Sequence, residues 1–394
     1  MKISVIVQGR FHAFEMASYF QTKGILNELI TGYPKSQTIK FGIESRLVKS
    51  IYINEIINRV TYKLFKSYPL DFWANDLFDY ITSKVAKYDS DVYFIWSGCA
   101  LRTIRSIRRK NKKAKIILVR GSAHIAYQDQ LLRSVNGSGK ALIDRRIVAK
   151  ELQEYNEADY INVPSTFALN SFIEQKVSDE KLFLNLLGVD LRQFPFYKKE
   201  VKETSELIVG NVGALSKRKN VASIIRVVEK LNKENIRVKL ILAGSVDNKT
   251  FDVSILDKHH FIDYRGRLPQ SELHKVYSEF DVFIINSIEE GLAMVQLQAM
   301  SCGLPIISTT NAGGLDLVRE GVNGFTIPIL DEKALAEKIT WFYNNKHKIP
   351  EMGIASRKIS EEGLTWEDFG ERNIEFINKI VCCNSNSSYL KRLS

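Results

Sequence analysis

DVFIINSIEEGLAMVQLQAMSCGLPIIST, residues 281–309, is the stretch of sequence that predicts the fold class. It contains an apolar run at residues 281–287, a helical pattern in LAMVQLQAMS, and a second apolar run at residues 304–309. Short, uninterrupted apolar runs are typical of parallel strands buried on both faces, and a helix between two such runs makes a strand–helix–strand unit. The stretch therefore predicts neighbouring parallel strands of an α/β sheet.

The same alternation of strands and helices extends outward in both directions. Downstream of residue 195 the apolar runs are SELIVGNV, RVKLILAGS and FIDYRG, and in the first half they are ISVIV, NELIT, DVYFIW, KIILV and DYINVP. Residues 43–66 and 70–87 have the apolar spacing of amphipathic helices. Two such blocks predict two doubly wound, Rossmann-like α/β domains. Ligands are then expected at the carboxyl ends of the strands, in the cleft between the domains.

The domain boundaries follow from where the alternation pauses. The charged stretch at residues 188–206 separates the two blocks, so we expect one domain over residues 1–190 and a second over residues 191–365. Residues 366–382 are predicted to form a C-terminal helix. Residues 383–394 are short and polar, and we expect a disordered tail there.

Composition excludes several classes of protein. The chain has 394 residues and four cysteines without a CxxC pair, so neither a disulfide framework nor a zinc site is expected. The histidines form no HExxH motif. No apolar run reaches the roughly 18–20 residues of a membrane span, and MKISVIVQGRF is better read as a first strand than as a signal peptide. These features predict a cytoplasmic protein.

The net charge of +11 is concentrated in the first half. Residues 101–120 contain nine basic residues and no acidic one, and residues 40–66 are also basic. Such surfaces attract phosphates, anionic lipids or nucleic acid, although a solvated helix face explains them as well. No motif supports nucleic-acid binding, and we do not expect it.

Two stretches of the second block carry candidate binding residues. In NVGALSKRKN, Gly213 follows a strand, and Arg218 and Lys219, next to Lys217, precede a helix, which suits an anion site or an ordinary charged turn. A P-loop is excluded because GxxxxGK[ST] is absent. Glu290 lies between a strand and a helix, where a carboxylate can accept hydrogen bonds from sugar hydroxyls. Gln298 lies about two turns further on and is either a ligand contact or a satisfied buried amide.

The first block contributes two weaker candidates. Gly9, in VQGRFH, allows a close backbone approach to a ligand, although a tight turn would need glycine equally. GxGxxG is missing, so a dinucleotide fingerprint is not supported. His124, in VRGSAHI, follows a buried strand and either donates to a sugar hydroxyl and moves protons, or has a structural role.

Taken together, a series of motifs resembles glycosyltransferase family 4, the retaining nucleotide-sugar transferases with the GT-B fold. The resemblance covers most of residues 90–380, in the order of the family, and is carried by the motifs IWSGCAL, VRGSAHI, ELQEYNEADYINVPS, LLGVDLRQF, VGALSKRKN, YRGRLPQSEL, EEGLAMVQLQAMSCGLPIISTTNAGG, GVNGF and SRKISEEGLTWEDFGERNIEFI. It implies a GT-B fold of two Rossmann-like domains facing each other across a cleft. The acceptor would bind to residues 1–190 and the donor to residues 191–365, and the helix at 366–382 would cross back to the first domain.

The resemblance also implies roles for individual residues. Glu290 and His124 would be catalytic, next to the reacting sugar. The implied donor-binding residues are Gly9, Gly213, Arg218, Lys219, Leu268, Leu292, Ala293 and Gln298: Lys219 and Gly9 for the diphosphate, the backbone of Leu292 and Ala293 for the sugar or phosphates, and Leu268 for the base. No metal ligand and no cofactor are implied, since the nucleoside-diphosphate sugar is a substrate.

The sequence departs from the family pattern at two positions. Gln298 replaces the second acid of the Glu-x7-Glu element, which usually holds the ribose hydroxyls, so altered nucleotide binding is expected. Ala214 replaces an arginine that the family often carries, and Arg218 or Lys217 would have to supply the missing phosphate contact.

The expected function is the retaining transfer of a sugar to a hydroxyl of a glycan or lipid-linked acceptor, in the synthesis of cell-surface polysaccharide or lipopolysaccharide. The expected partners are the nucleotide-sugar donor, this acceptor and an anionic membrane contacted peripherally, on the inner face of the plasma membrane. The main alternative is a catalytically inactive GT-B protein that binds a sugar or nucleotide. A GT-B epimerase or phosphorylase is a further alternative, although the cofactor lysine motif of the phosphorylases is absent.

Overall fold

The structure, a computed structural model, describes residues 1–65, 70–136, 143–200 and 206–389. The chain divides into two compact units. The first unit comprises Met1–Pro164, Ser171–Asn185 and Trp366–Ser394, and the second unit comprises Ser165–Asn170 and Leu186–Thr365.

Part of the stretch predicted to join the two domains, residues 201–205, lies outside the described residues. The chain passes from the first unit to the second after Asn185 and returns to the first unit at Trp366.

The described part of the first unit is built on a seven-stranded parallel sheet with the order β3-β2-β1-β4-β5-β6-β7. Its strands are β1 (Ile3–Val7), β2 (Leu26–Thr31), β3 (Val48–Ser50), β4 (Val92–Trp96), β5 (Lys115–Val119), β6 (Tyr160–Val163) and β7 (Leu182–Leu184). The accompanying helices are α1 (Ala13–Thr22), α2 (Lys35–Ile39), α3 (Ile53–Phe65), α4 (Asp71–Val85), α5 (Leu101–Lys110), α6 (Ile125–Asn136), α7 (Arg145–Glu157) and α8 (Thr166–Glu174). The first turn of α8, residues 166–170, is counted with the second unit.

The described part of the second unit has a six-stranded parallel sheet with the order β10-β9-β8-β11-β12-β13. Its strands are β8 (Leu207–Val212), β9 (Val238–Ala243), β10 (Ile262–Tyr264), β11 (Val282–Ile285), β12 (Ile306–Thr309) and β13 (Gly324–Ile327). Its helices are α9 (Val221–Lys233), α10 (Leu273–Glu279), α11 (Met294–Ser301), α12 (Gly314–Leu317), α13 (Glu332–Asn344) and α14 (Ile349–Glu361). The chain then forms α15 (Trp366–Tyr389), which is counted with the first unit.

Burial explains why the apolar runs form strands. Every residue of β1, β4 and β11 is buried, which is the pattern of parallel strands covered on both faces. In α9 the buried residues recur at helical spacing and join the core of the second unit. Fully burying each large aliphatic side chain contributes about 1.5–3 kcal/mol, so these runs hold the sheets together.

Each sheet has a point at which the strand order reverses. In the first unit it lies between β1 and β4, and in the second unit between β8 and β11. In open α/β sheets a ligand binds outside the carboxyl ends of the strands at such a switch point. The loops that follow these four strands are called the switch-point loops below.

Two secondary-structure predictions were wrong. Residues 43–66 do not form one helix, because Val48–Ser50 pairs as edge strand β3 with β2, so tertiary pairing overrides the helical spacing. Helix α15 does not end at residue 382. Residues 383–389, assigned to a disordered tail, are helical, and no glycine or proline occurs there to end the helix. Residues 390–394 of that tail lie outside the described residues.

Candidate functional site

The switch-point loop after β8 presents the predicted anion-binding residues of the second unit. Gly213 has φ +148°, a conformation that favours glycine, and the Cε atom of Lys219 lies 3.8 Å from the position that a Cβ on Gly213 would occupy. The Lys219 backbone N–H donates to Ser216 Oγ at 3.3 Å. Asn220, with φ +53°, then leads into α9. The loop thus directs Lys219 back over Gly213.

Glu290, in the switch-point loop after β11, forms an ion pair with Lys219. Arg218 Nη1 donates to Glu290 Oε1 at 2.7 Å and to the backbone carbonyl of Glu289 at 2.6 Å. Lys219 Nζ forms an ion pair with the same Glu290 oxygen. The Ile288 backbone N–H donates to the Arg218 carbonyl at 2.9 Å. Arg218, Lys219 and Glu290 therefore form one cluster, called the cation–carboxylate cluster below.

A second carboxylate, that of the buried Glu289, lies close to the Arg218 guanidinium of this cluster. Its side chain is only 1% exposed, and an Oε atom lies 3.7 Å from Arg218 Nη1. Because ions that are shielded from water are screened weakly, this buried acid helps to hold the Arg218 guanidinium in place. Glu289 was not predicted as a site residue, although the doubled acid in EEGLA was a visible signal.

The start of α11 carries the two predicted backbone contacts. The side chains of Leu292 and Ala293 are buried, and Leu292 packs against Gly313, where a Cβ would lie 2.3 Å from Leu292 Cδ1. The Ala293 backbone N–H donates to the Ala312 carbonyl at 3.3 Å, a long hydrogen bond. The Glu290 backbone N–H donates to the Asn311 carbonyl at 3.1 Å. These bonds hold the loop at the start of α11.

Ser165 holds the same loop from another segment of the second unit. Its hydroxyl donates to the Gly291 carbonyl, and its Oγ accepts the Ala168 backbone N–H at 3.2 Å. Ser165 therefore caps α8, whereas its contact with Gly291 was not predicted. A contact across 126 residues leaves no local pattern in the sequence.

Gln298 is buried next to a neutral tyrosine and not among charged groups. The residue is 6% exposed, and its Oε1 accepts the Tyr277 hydroxyl at 3.0 Å. Burial raises the pKa of Tyr277 well above its usual range, so the hydroxyl stays protonated and donates. The amide oxygen thus has a protein partner, and Tyr277 is a neighbour that the spacing alone did not reveal.

Leu268 lies further along the sheet of the second unit. It is half-buried and follows β10, which is two strands away from β8 in the strand order. The Gly266 carbonyl before it accepts the Gly244 backbone N–H at 2.8 Å, which ties this loop to the loop after β9.

His124 lies in the first unit, beyond the end of β5. Its ring packs against Tyr155 and Phe172, each with a centroid distance of 4.9 Å, and burial lowers the pKa of His124 to about 4. His124 Nδ1 accepts the Ala126 backbone N–H at 3.3 Å, so the proton of the neutral ring lies on Nε2. At neutral pH the ring can therefore donate a hydrogen bond from Nε2.

Gly9 lies in the switch-point loop after β1. Its carbonyl accepts the Thr31 hydroxyl at 3.1 Å, and the Gln8 carbonyl accepts the Gly32 backbone N–H at 3.0 Å. Both bonds fasten the loop to the end of β2.

Among the described residues no group of three or more His, Cys, Asp and Glu side chains is arranged to hold a metal ion. Within the same part of the chain, no helix has both the length and the apolar character needed to span a bilayer.

Solved structures share this two-sheet architecture. Sucrose-phosphate synthase from Thermosynechococcus elongatus superposes with a TM-score of 0.74 at 16% identity, covering 97% of this chain and 100% of the other. Anabaena HepE in complex with UDP superposes with a TM-score of 0.67 at 14% identity, covering 96% and 100%. At these identities the likeness concerns the fold alone. The fold class is GT-B, as the sequence predicted.

The sequence comparisons relate part of the chain to a family of glycosyltransferases. Residues 193–359, which contain the cation–carboxylate cluster, match the model of the family described as Glycosyl transferases group 1. The capsular polysaccharide biosynthesis glycosyltransferase CapM of Staphylococcus aureus is 24% identical over 198 residues, which are 46% of this chain and 51% of that relative. The chain spans little more than half the length of the first curated relatives. Residues 193–359 are thus similar to the Glycosyl transferases group 1 family, and the chain as a whole has the GT-B fold.

Proposed function

We propose that the protein is a retaining hexosyltransferase that moves a sugar from a nucleoside-diphosphate sugar to a hydroxyl of a glycan or lipid-linked acceptor. The cation–carboxylate cluster is the observation that carries this proposal. It lies on the two switch-point loops of the second unit, inside the region that matches the family model. The name of CapM and the UDP in the HepE structure support a role in cell-surface polysaccharide or lipopolysaccharide synthesis and a nucleotide-sugar donor.

The cluster suits a reaction in which negative charge develops on a departing diphosphate. Arg218 and Lys219 are two cations held in advance by Glu290, so they need little reorganisation when the anion forms. A diphosphate that takes over these cations would free the Glu290 carboxylate to accept a hydroxyl of the donor sugar. Gly213 and Gly9 offer backbone close to the phosphates in this proposal, and the His124 Nε2–H donates to the sugar.

We assign the chemistry to departure and attack on the same face of the donor sugar. The bond between the anomeric carbon and the diphosphate oxygen breaks, the acceptor oxygen bonds to that carbon, and the leaving phosphate takes the acceptor proton. No protein nucleophile is required. A sugar trapped covalently on any side chain, found by mass spectrometry of the intact protein, would contradict this assignment.

We further propose that no metal or other cofactor takes part. The two cations of the cluster supply the positive charge that a divalent ion would otherwise bring to the diphosphate. Activity that is unchanged in excess EDTA would support this proposal, and activity restored only by Mg²⁺ or Mn²⁺ would refute it.

The proposed site of action is the inner face of the plasma membrane, contacted peripherally from the cytoplasm. Two features of the first unit support this proposal: exposed apolar side chains at Ile53, Ile56 and Trp73, and basic residues at Lys35 and Lys49 beside an open groove of about 740 Å³. Apolar residues next to lysines suit an anionic bilayer. Binding to phosphatidylglycerol vesicles should weaken as the salt concentration rises. Binding that depends on neither lipid charge nor salt concentration would contradict the proposed membrane contact.

An inactive GT-B protein that binds a sugar or nucleotide is the second candidate. It is favoured by Gln298, whose acceptor oxygen already bonds to Tyr277, and by Ala214, which offers no cation to a phosphate. Turnover of any nucleotide sugar by the purified protein would exclude this candidate.

The experiment that tests the proposed function is ligand-observed NMR with UDP-, GDP- and ADP-sugars. We expect one nucleotide class to bind to the wild type, with binding lost in Lys219→Ala and weakened in Glu290→Ala. Lys230→Ala is the matched control, because Lys230 is an exposed lysine of the same unit on α9. If none of the three nucleotide classes binds to the folded protein, the proposed donor site is wrong.

A further inference from the structure

Phe11, in the switch-point loop after β1, combines two unusual features. Its side chain is 62% exposed although it is large and apolar, and its backbone has φ +42°, in the left-handed region. An exposed apolar side chain is common by itself. A left-handed conformation is unfavourable for a residue with a β-carbon, and for a bulky residue it marks strain that the surroundings must maintain.

The surroundings of Phe11 do maintain this conformation. The loop is fastened to β2 through the carbonyls of Gln8 and Gly9, and the Ala13 backbone N–H closes a turn on the Arg10 carbonyl at 3.1 Å. The edge of the Phe11 ring rests on Gly9, where a Cβ would lie 2.8 Å from Phe11 Cε2. The ring therefore has a defined position while most of it stays open to solvent.

The neighbouring cation, Arg10, contacts Glu15 and the Phe41 ring. Arg10 Nη2 forms an ion pair with Glu15 at 3.1 Å, and its guanidinium carbon lies 4.5 Å from the centre of the Phe41 ring. The loop thus presents an aromatic ring at the switch point of the first unit, whereas the corresponding loop of the second unit presents Arg218 and Lys219. An aromatic ring that is held open binds the apolar face of a sugar ring better than it binds a phosphate.

We propose that Phe11 is a sugar-binding residue on which a pyranose ring of the acceptor stacks. This inference rests on the proposed function, since it assigns the glycan acceptor to the first unit. In this proposal the strained backbone is retained because it places the ring at the switch point. Backbone strain is often found at ligand-binding sites. Nothing in the reaction passes through Phe11, which binds and orients the acceptor.

The test separates sugar binding from stability. Saturation-transfer NMR would use the methyl α-glycosides of glucose, galactose and N-acetylglucosamine as probes. Phe11→Asn removes the ring but tolerates the left-handed backbone, so we expect the signal of at least one probe to fall about three- to tenfold. Phe11→Trp keeps an aromatic face and should keep the signal. The Tm of Phe11→Asn should equal or exceed that of the wild type, because strain is relieved.

Leu330 provides a matched control. It is also apolar, 50% exposed and left-handed with φ +62°, but it follows the edge strand β13 rather than a strand of a switch point. Leu330→Asn should therefore raise the Tm similarly and leave the probe signals unchanged.

Three results would overturn the inference. These are no probe signal in the wild type, an unchanged signal in Phe11→Asn, or a lost signal together with a lower Tm, which would assign the ring a packing role. Nucleotide binding in the same samples distinguishes the two proposals. If the glycoside binds through Phe11 but no nucleotide binds, the donor proposal fails and the sugar site stands.

Discussion

The two pairs of switch-point loops have the same topology and opposite chemistry. In the second unit the loops after β8 and β11 are joined by Arg218, Lys219 and Glu290, three charged groups within ion-pair distance. In the first unit the loop after β1 presents the exposed ring of Phe11, and the loop after β4 donates the Gly98 backbone N–H to Glu154 at 2.6 Å. The loop after β1 therefore presents an aromatic ring, whereas the loops after β8 and β11 present charge.

In open α/β sheets the strand order determines where a ligand binds, and the loops determine which ligand fits there. Parallel strands reverse their order in both units, so each offers one place for a ligand. Preorganised cations at the switch point of the second unit suit a diphosphate, and a neutral aromatic ring at the switch point of the first unit suits a sugar ring. The predictions that follow test this comparison.

The largest effect is expected from Lys219→Ala in the second unit. Removing a preorganised cation that faces the leaving diphosphate should lower kcat by about 10²- to 10³-fold. The free energy of unfolding should change little, since Lys219 is a loop residue whose paired carboxylate keeps Arg218. Steady-state kinetics with the donor identified by NMR would measure the loss, with Lys230→Ala as control. A loss below threefold would remove Lys219 from the donor site.

The next effect is a pH dependence of the free energy of unfolding, caused by two buried histidines of the first unit. Burial lowers the pKa of His12 to about 4 and that of His124 to about 4. Between pH 6.5 and 4 the unfolded chain binds these protons and the folded chain does not, so the free energy of unfolding falls as pH decreases. Each histidine lowers the free energy of unfolding by about 3 kcal/mol once the pH has fallen from 6.5 to below 4.

Urea unfolding at several pH values would measure this loss. His12→Gln and His124→Gln should each flatten the pH dependence between pH 6.5 and 4. An undiminished slope in both variants would show that other groups cause the acid sensitivity.

A smaller effect is expected from Ser165→Ala, which tests how the loop at Gly291 is held. Loss of the cap on α8 should cost about 1 kcal/mol of unfolding free energy. Loss of the bond to Gly291 should raise the donor KM more than it lowers kcat. Ser165→Thr keeps the hydroxyl and should restore both properties. A stability loss without any change in donor KM would limit Ser165 to helix capping.

The smallest effect is expected from Gln298→Glu, which restores the acid of the family pattern. The Tyr277 hydroxyl can donate to a carboxylate as it donates to the amide, so the fold should be retained. We expect nucleotide affinity to rise about three- to tenfold, because a charged acceptor strengthens the hydrogen bond from a ribose hydroxyl. Titration calorimetry with the nucleotide would measure it. Weaker binding would show that the ribose accepts a bond from the Gln298 amide.

The central elements of the fold were predictable because their signals are local. The apolar runs at β1, β4 and β11 are each long enough to be recognised without knowledge of their neighbours. Edge strand β3 was missed because its three residues, Val48–Ser50, form a strand only by pairing with β2. The extension of α15 to Tyr389 was missed because its polar composition resembles a tail.

In the candidate site, too, some residues were predictable from local sequence and others were not. Arg218, Lys219 and Glu290 could be selected from sequence, because charges beside a glycine at strand ends form a local pattern. Tyr277 and the Gly291 partner Ser165 could not, since each meets its partner across a long sequence separation. The left-handed Phe11 was also invisible, because its neighbours in sequence do not predict a positive φ.

The sequence by itself determined that the chain forms two parallel α/β sheets with charged and glycine-containing loops at the strand ends, because hydrophobic periodicity and turn residues act over a few positions. The tertiary structure alone shows that Glu290 pairs with both Arg218 and Lys219, that the Tyr277 hydroxyl donates to Gln298, and that Phe11 stays exposed on a strained turn. The physical reason is that strand order brings distant loops together, and the pattern along the chain does not encode which side chains then meet.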